Sequence, residues 1–126
     1  MEKRIVSKIE REEIEKYLLL DEDLILSLIP QYLNDQTSFS SIGQIEAGKK
    51  KFKEIEELLY QKICIEWKFY EHLDNQDFQD KVSFIASLGD VITTLAVGIP
   101  PFIISTLIVK IGIRKFCRRD DLEHSN

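Results

Sequence analysis

The chain has 126 residues, which is enough for one domain or for a small domain with an appendage. Charged residues make up 31% and hydrophobic residues 44% of the sequence, and this composition excludes a chain that is disordered throughout. The net charge of −5 argues against general nucleic-acid binding, so no nucleic-acid partner is favoured. The N-terminal residues are charged and contain no apolar secretory segment, which indicates a cytoplasmic start.

The charge is unevenly distributed along the chain. Residues 1–80 carry a net charge of −7, residues 81–119 a net charge of +5 and the last seven residues a net charge of −3. We therefore predict three parts: a helical interaction module at residues 1–80, an apolar helical hairpin at residues 81–119 and a polar tail at residues 120–126.

The whole fold is predicted to be all-α. Residues 1–80 are expected to form two to three helices before the hairpin. The first helix is expected at residues 3–20, where these apolar residues roughly follow helical spacing: Ile5, Val6, Ile9, Ile14, Tyr17 and Leu18. The acidic residues 21–23 favour the start of a second helix that runs to residue 33, with a kink at Pro30. Polar residues then predict a loop at residues 34–41.

A long amphipathic helix is predicted from about Ser41 to about Leu73. Its apolar residues recur mostly at three- and four-residue steps, which places them along one side. A helix of roughly thirty residues extends about 45 Å and needs partners along its length, either the first two helices or a second copy of the chain. The predicted assembly face consists of Ile45, Phe52, Ile55, Leu59, Ile63 and Trp67.

An uncharged segment follows a polar hinge at residues 74–80. This segment, Val91–Val109, has the sequence VITTLAVGIPPFIISTLIV and nearly matches the ~30 Å thickness of a bilayer core if it forms one helix. Adjacent prolines at its centre argue against one helix, so we predict a hairpin that turns at Gly98, Pro100 and Pro101. Its arms would be residues 82–97 and 102–117. A single membrane span and a soluble hairpin within a bundle or oligomer remain alternatives.

Polar residues form a pattern across the predicted hairpin. They recur at three- and four-residue steps and define a polar stripe: Ser83, Ser87, Asp90, Thr94, Thr106, Lys110 and Arg114. Folding about the prolines predicts an ion pair between Asp90 and Lys110, because a low-dielectric site demands that charges are paired. A basic cluster at the expected membrane surface consists of Arg114, Lys115, Arg118 and Arg119.

No catalytic residue, metal site or cofactor is expected. The carboxylates at residues 10–15 have no nearby His or Cys, and neither His72 nor His124 has a ligand partner at a useful spacing. Cys64 and Cys117 are too far apart for a zinc motif and are interpreted as packing residues, with a disulfide as the less favoured alternative.

Two functions follow from these features. The first is a non-enzymatic membrane protein that anchors or inserts its hairpin, with residues 1–80 in the cytoplasm. An oligomeric pore-forming effector or toxin is one version of this function. Its partners would be membrane lipid and either further copies of the chain or another protein. The alternative is a soluble, cytoplasmic helical adaptor or subunit whose apolar hairpin is an oligomer or partner interface.

Overall fold

A computed structural model of the chain describes residues 4–33, 40–68, 80–95 and 97–117. Every regular element within these residues is helical, so the predicted all-α fold is confirmed. In chain order the elements are α1 (Lys8–Leu18), α2 (Glu22–Ser27), a 3₁₀ turn (Ile29–Tyr32), α3 (Ser41–Tyr60) continued by a π-helix (Gln61–Glu66), α4 (Lys81–Thr93), α5 (Pro101–Ile111) and α6 (Ile113–Cys117). The predicted polar tail and most of the predicted loop and hinge lie outside the described residues.

Side chains that satisfy free backbone N–H groups begin the first two helices. The Ser7 hydroxyl accepts a hydrogen bond from the Glu10 N–H at 3.1 Å, and the Glu10 carboxylate accepts one from the Ser7 N–H at 3.0 Å. Asp21 caps α2 in the same way, as the acidic run predicts. The predicted second helix is an α-helix that ends at Ser27 and a 3₁₀ turn that contains Pro30, because proline cannot donate the hydrogen bond that a regular helix needs.

Helix α3 crosses α2 at very short range. A Cβ atom added at Gly48 would overlap the carbonyl oxygen of Leu26 and would lie 2.7 Å from the carbonyl carbon of the same residue. Glycine is therefore required here for the two helix backbones to approach each other.

The C-terminal part of α3 widens into a π-helix. The Trp67 N–H donates to the carbonyl of Lys62, five residues earlier, at 2.9 Å. Leu59, Ile63 and Trp67 follow each other at four-residue steps, which drift around a regular helix of 3.6 residues per turn. The wider π turn offsets that drift and keeps Ile63 fully buried. The predicted continuation of this helix to residue 73 lies outside the described residues.

The apolar segment is broken between α4 and α5. Gly98 has a φ of 81°, in the left-handed region that favours glycine, and Pro101 is the first residue of α5. The break coincides with the turn predicted at Gly98, Pro100 and Pro101. The two helices that flank it pack against each other, and both are shorter than the predicted arms.

A second break ends α5 before the predicted arm ends. Gly112 has a φ of 107° and a ψ of 110°, a conformation that residues with a Cβ rarely adopt. It separates α5 from the short helix α6, which turns Ile113 and Phe116 into the core.

One core unites the apolar helices with the N-terminal helices. Its fully buried members include Ile25, Ile29, Leu59, Ile63, Leu88, Ile104, Leu107 and Ile108. A smaller cluster joins Ile14 of α1 to Val82, Ile85 and Ala86 of α4. The segment that looked like a membrane element therefore lies at the centre of the chain's own helical bundle.

Candidate interaction surface

The prediction of a membrane-inserted hairpin is wrong. In the described parts of the chain, no helix has both the length and the apolar character needed to cross a bilayer. Helix α5 has 11 residues, and its residues 103–108 are buried against the other helices. The anchoring function and the pore-forming effector or toxin function depended on that hairpin and are contradicted with it. A lipid partner stays a prediction.

The predicted assembly face of α3 is covered by the chain itself. Four of its residues are at most 8% exposed: Phe52, Ile55, Leu59 and Ile63. The other two, Ile45 and Trp67, are half-buried, and the Trp67 ring lies 6.0 Å from the Phe84 ring of α4. This face therefore stabilises the fold and is not presented to a second copy.

The predicted polar stripe does not form one common surface. Ser83 and Thr106 are buried, Ser87 and Lys110 are half-buried, and Asp90, Thr94 and Arg114 are exposed. The Thr106 hydroxyl is buried without a hydrogen-bond partner among the described residues, an arrangement that costs about 1–3 kcal/mol. The predicted ion pair between Asp90 and Lys110 does not form, because Asp90 lies on the outer side of α4 and binds Arg4 instead.

The predicted basic cluster is only partly described. Arg114 and Lys115 are exposed on α6, whereas Arg118 and Arg119 lie outside the described residues.

Arg4 ties the segment before α1 to both α1 and α4. Its guanidinium donates to both carboxylate oxygens of Glu10, at 2.7 and 2.8 Å, and to both oxygens of Asp90, at 2.9 and 3.1 Å. It also donates to the carbonyl of Ile5 at 2.7 Å. These paired hydrogen bonds hold α1 in a fixed position, because the planar guanidinium matches two carboxylates at once.

A second ion pair links Arg11, near the start of α1, to the start of α4. Arg11 donates to Asp80 at 3.0 Å, and Asp80 also caps α4 by accepting from the Val82 N–H at 3.2 Å. The Arg11 guanidinium lowers the pKa of Asp80. Arg4, before α1, binds near the end of α4, and Arg11, near the start of α1, binds at the start of α4, while Ile14 packs the inner side of α1 on α4.

The Arg4–Glu10 pair predicts a specific loss of stability in acid. The hydrogen bond from Arg4, followed by the one from the Ser7 backbone, lowers the pKa of Glu10 from 4.5 to about 2. The stabilisation that the Arg4–Glu10 pair adds to the folded chain is therefore complete above about pH 4.5, and it is lost as the pH falls towards 2. We expect a loss of about 1 kcal/mol in the free energy of unfolding, because solvent screens a partly exposed pair.

Urea unfolding of the wild-type chain and of Glu10→Gln across this pH range measures that loss. The variant should lack this part of the pH dependence while it keeps the contribution of Asp80. Parallel pH profiles for the two proteins would contradict the role of Glu10.

Cys64 and Cys117 form a disulfide, which corrects their interpretation as packing residues. Their Cα atoms are 5.6 Å apart, although 53 residues separate them in sequence. The Phe116 ring beside the bridge lies 6.3 Å from the Phe52 ring of α3. The disulfide thus fastens α6 to the end of α3 and closes a covalent loop that contains α4 and α5.

The outward side of α1 carries exposed apolar side chains. Ile9 is 77% exposed, and Leu19, the residue that caps the end of α1, is 87% exposed. Between them on the same side lie Glu12 and Lys16, since steps of three, four and three residues keep to one side of a helix. These four residues define the outer face of α1. The opposite side of the helix carries the buried Ile14.

A shallow apolar groove lies at the turn between α4 and α5. It has a volume of about 380 Å³ and is lined by Tyr32 of the 3₁₀ turn together with Ile92, Val97, Ile99 and Pro100. Val97 and Pro100 are half-buried in this groove, whereas Ile92 and Ile99 are buried, so little of the predicted apolar interface is accessible here.

The described residues contain no group of three His, Cys, Asp or Glu side chains placed to hold a metal ion. Both histidines that were considered as ligands, His72 and His124, lie outside these residues. Comparison with protein-family models, curated proteins and solved structures finds no match to this chain. The function is therefore argued from the surface itself.

Proposed function

We propose that the chain is a non-enzymatic helical subunit that acts through protein–protein contact and associates with further copies of itself. The proposal rests on the outer face of α1, because most of the apolar surface of Ile9 and Leu19 is exposed to water. Burial of such surface is the main favourable term in protein association. This is the adaptor or subunit function expected as the alternative, with the contact moved from the hairpin to α1.

The rigidity of α1 supports this assignment. Arg4 and Arg11 fix the helix to α4 by ion pairs, and Ile14 anchors its inner side. A contact surface on a helix held in this way loses little conformational freedom when it binds. The outer face of α1 is therefore preorganised for a partner.

Sedimentation velocity of the purified full chain over a concentration series tests the proposal. The wild-type chain should associate, and Ile9→Asp should weaken association because it places a charge in the contact. The matched control is Ile42→Asp on α3, where the wild-type side chain is 74% exposed. A further variant, Val97→Asp, places a charge in the groove at the turn and shows whether the groove takes part in association. A wild-type chain that stays monomeric, or an Ile9→Asp variant that associates as well as Ile42→Asp, would contradict the proposal.

The location of the chain in the cell remains a prediction. The Cys64–Cys117 disulfide favours an oxidising compartment over the predicted cytoplasmic one, since reducing compartments rarely hold structural disulfides.

A further inference from the structure

The outer face of α1 has a sequence that is complementary to itself. Ile9 and Leu19 are equidistant from residue 14, and so are Glu12 and Lys16. In a two-fold symmetric contact, residue i of one copy meets residue j of the other and the reverse also holds. An axis at the level of residue 14 would thus place Ile9 opposite Leu19 and Glu12 opposite Lys16.

We infer that two copies of the chain pair antiparallel through the outer faces of their α1 helices, in this register. The inference rests on the proposed function and names its partner and geometry. Each contact occurs twice by symmetry, so the pair contains two apolar contacts and two contacts between opposite charges.

Charge selects this arrangement over a parallel one. A parallel two-fold pair would bring Glu12 beside Glu12 and Lys16 beside Lys16, and like charges in contact disfavour association. The antiparallel arrangement replaces both repulsions with attractions.

Charge also selects the register of the antiparallel pair. An axis moved to the level of residue 12 would place Glu12 opposite Glu12, and an axis at residue 16 would place Lys16 opposite Lys16. Only the axis near residue 14 brings each charge of this pair to its opposite and each large apolar side chain to another.

Both charged side chains are available for such a contact. Glu12 and Lys16 are exposed, and neither forms an ion pair within the described part of the chain. The Lys16 ammonium lies 5.3 Å from the centre of the Tyr17 ring, a contact that it would exchange for Glu12 of the other copy. Glu13, on the neighbouring side of the helix, instead accepts a hydrogen bond from the Tyr17 hydroxyl at 3.3 Å.

A mixing experiment with charge-reversal variants tests the inference. Glu12→Lys alone places one lysine of each copy opposite Lys16 of the other copy, and Lys16→Glu alone produces the equivalent acidic repulsion. Each variant should associate with itself about tenfold more weakly than the wild type, or worse. An equimolar mixture should recover association near the wild-type strength, because every charge in the mixed pair meets its opposite.

Mixing separates the contact between copies from effects inside one helix. Glu12 and Lys16 are also four residues apart on α1, and a change in their interaction within one copy cannot be reversed by adding the other variant. The double variant Glu12→Lys/Lys16→Glu should associate like the wild type, and far-ultraviolet circular dichroism checks that each variant keeps its helical content.

Sedimentation equilibrium gives the dissociation constants that decide the outcome. If the wild type associates but the mixture stays as weak as the single variants, the antiparallel register is wrong and the proposed function stands. If the wild type does not associate, both fail.

Discussion

Reduction of the Cys64–Cys117 disulfide is expected to lower the free energy of unfolding by about 4 kcal/mol. The bridge joins residues 53 apart, so it removes much of the freedom of the unfolded chain that the reduced protein would regain. It also fastens α6, whose remaining attachments to the core include the buried side chains of Ile113 and Phe116.

Urea unfolding with and without dithiothreitol measures the effect. The single tryptophan, Trp67, is the probe, because its half-buried ring packs against Phe84 at the edge of the core. The control is the double variant Cys64→Ala/Cys117→Ala, which should be as unstable as the reduced wild type and should not respond to dithiothreitol. An unchanged unfolding midpoint after complete reduction, verified by thiol titration, would show that the bridge contributes little.

Gly48→Ala is expected to destabilise the chain by about 2 kcal/mol or more. In an unobstructed helix interior the same change stabilises, because alanine has the higher helix propensity by about 1 kcal/mol. Here the new methyl group would overlap the backbone of Leu26, and a backbone carbonyl cannot rotate away as a side chain can. Helices α2 and α3 would have to separate, with loss of packing around Ile25 and Phe52.

Lys50→Ala is the matched control for this prediction. Lys50 lies two residues further along α3 with its side chain exposed, so the change should alter stability by less than about 0.5 kcal/mol. Thermal unfolding followed by circular dichroism compares the two variants. Equal stability of the Gly48→Ala variant and the control would mean that the helices do not cross as closely as described.

Local signals in the sequence predict the elements of this fold. The acidic run at residues 21–23 begins α2, Pro30 ends it, and Pro100 and Pro101 interrupt the apolar segment. Each signal acts within one turn of its own residue, so neighbouring residues are sufficient to interpret it.

The contacts that fix the positions of α1 and α6 are long-range. Asp90 pairs with Arg4, 86 residues away, and Cys64 pairs with Cys117. Spacing along the chain cannot distinguish these partners from others, such as Lys110 for Asp90. The membrane prediction failed for the same reason, because an apolar helix has the same composition whether lipid or other helices surround it.

The outer face of α1 was missed although the sequence contains a signal for it. Ile9 and Ile14 both belong to the set that roughly follows helical spacing, yet five residues correspond to about 140° around a helix. Only one of them can point straight into the core, and Ile14 does so while Ile9 is exposed. Gly48 is similar, since a glycine inside a long amphipathic helix indicates a close crossing and not only a weakened turn.

Hydrogen exchange of residues 103–108 tests most directly the central claim that the chain buries its apolar segment within itself. The measurement uses mass spectrometry on the Ile9→Asp variant, in buffer without lipid or detergent, so that neither self-association nor a bilayer protects the segment. The fold described above predicts slow exchange of these amides, as slow as in the wild-type chain, because α5 lies at the centre of the core. Rapid exchange in buffer, with protection that appears only when lipid vesicles are added, would contradict it.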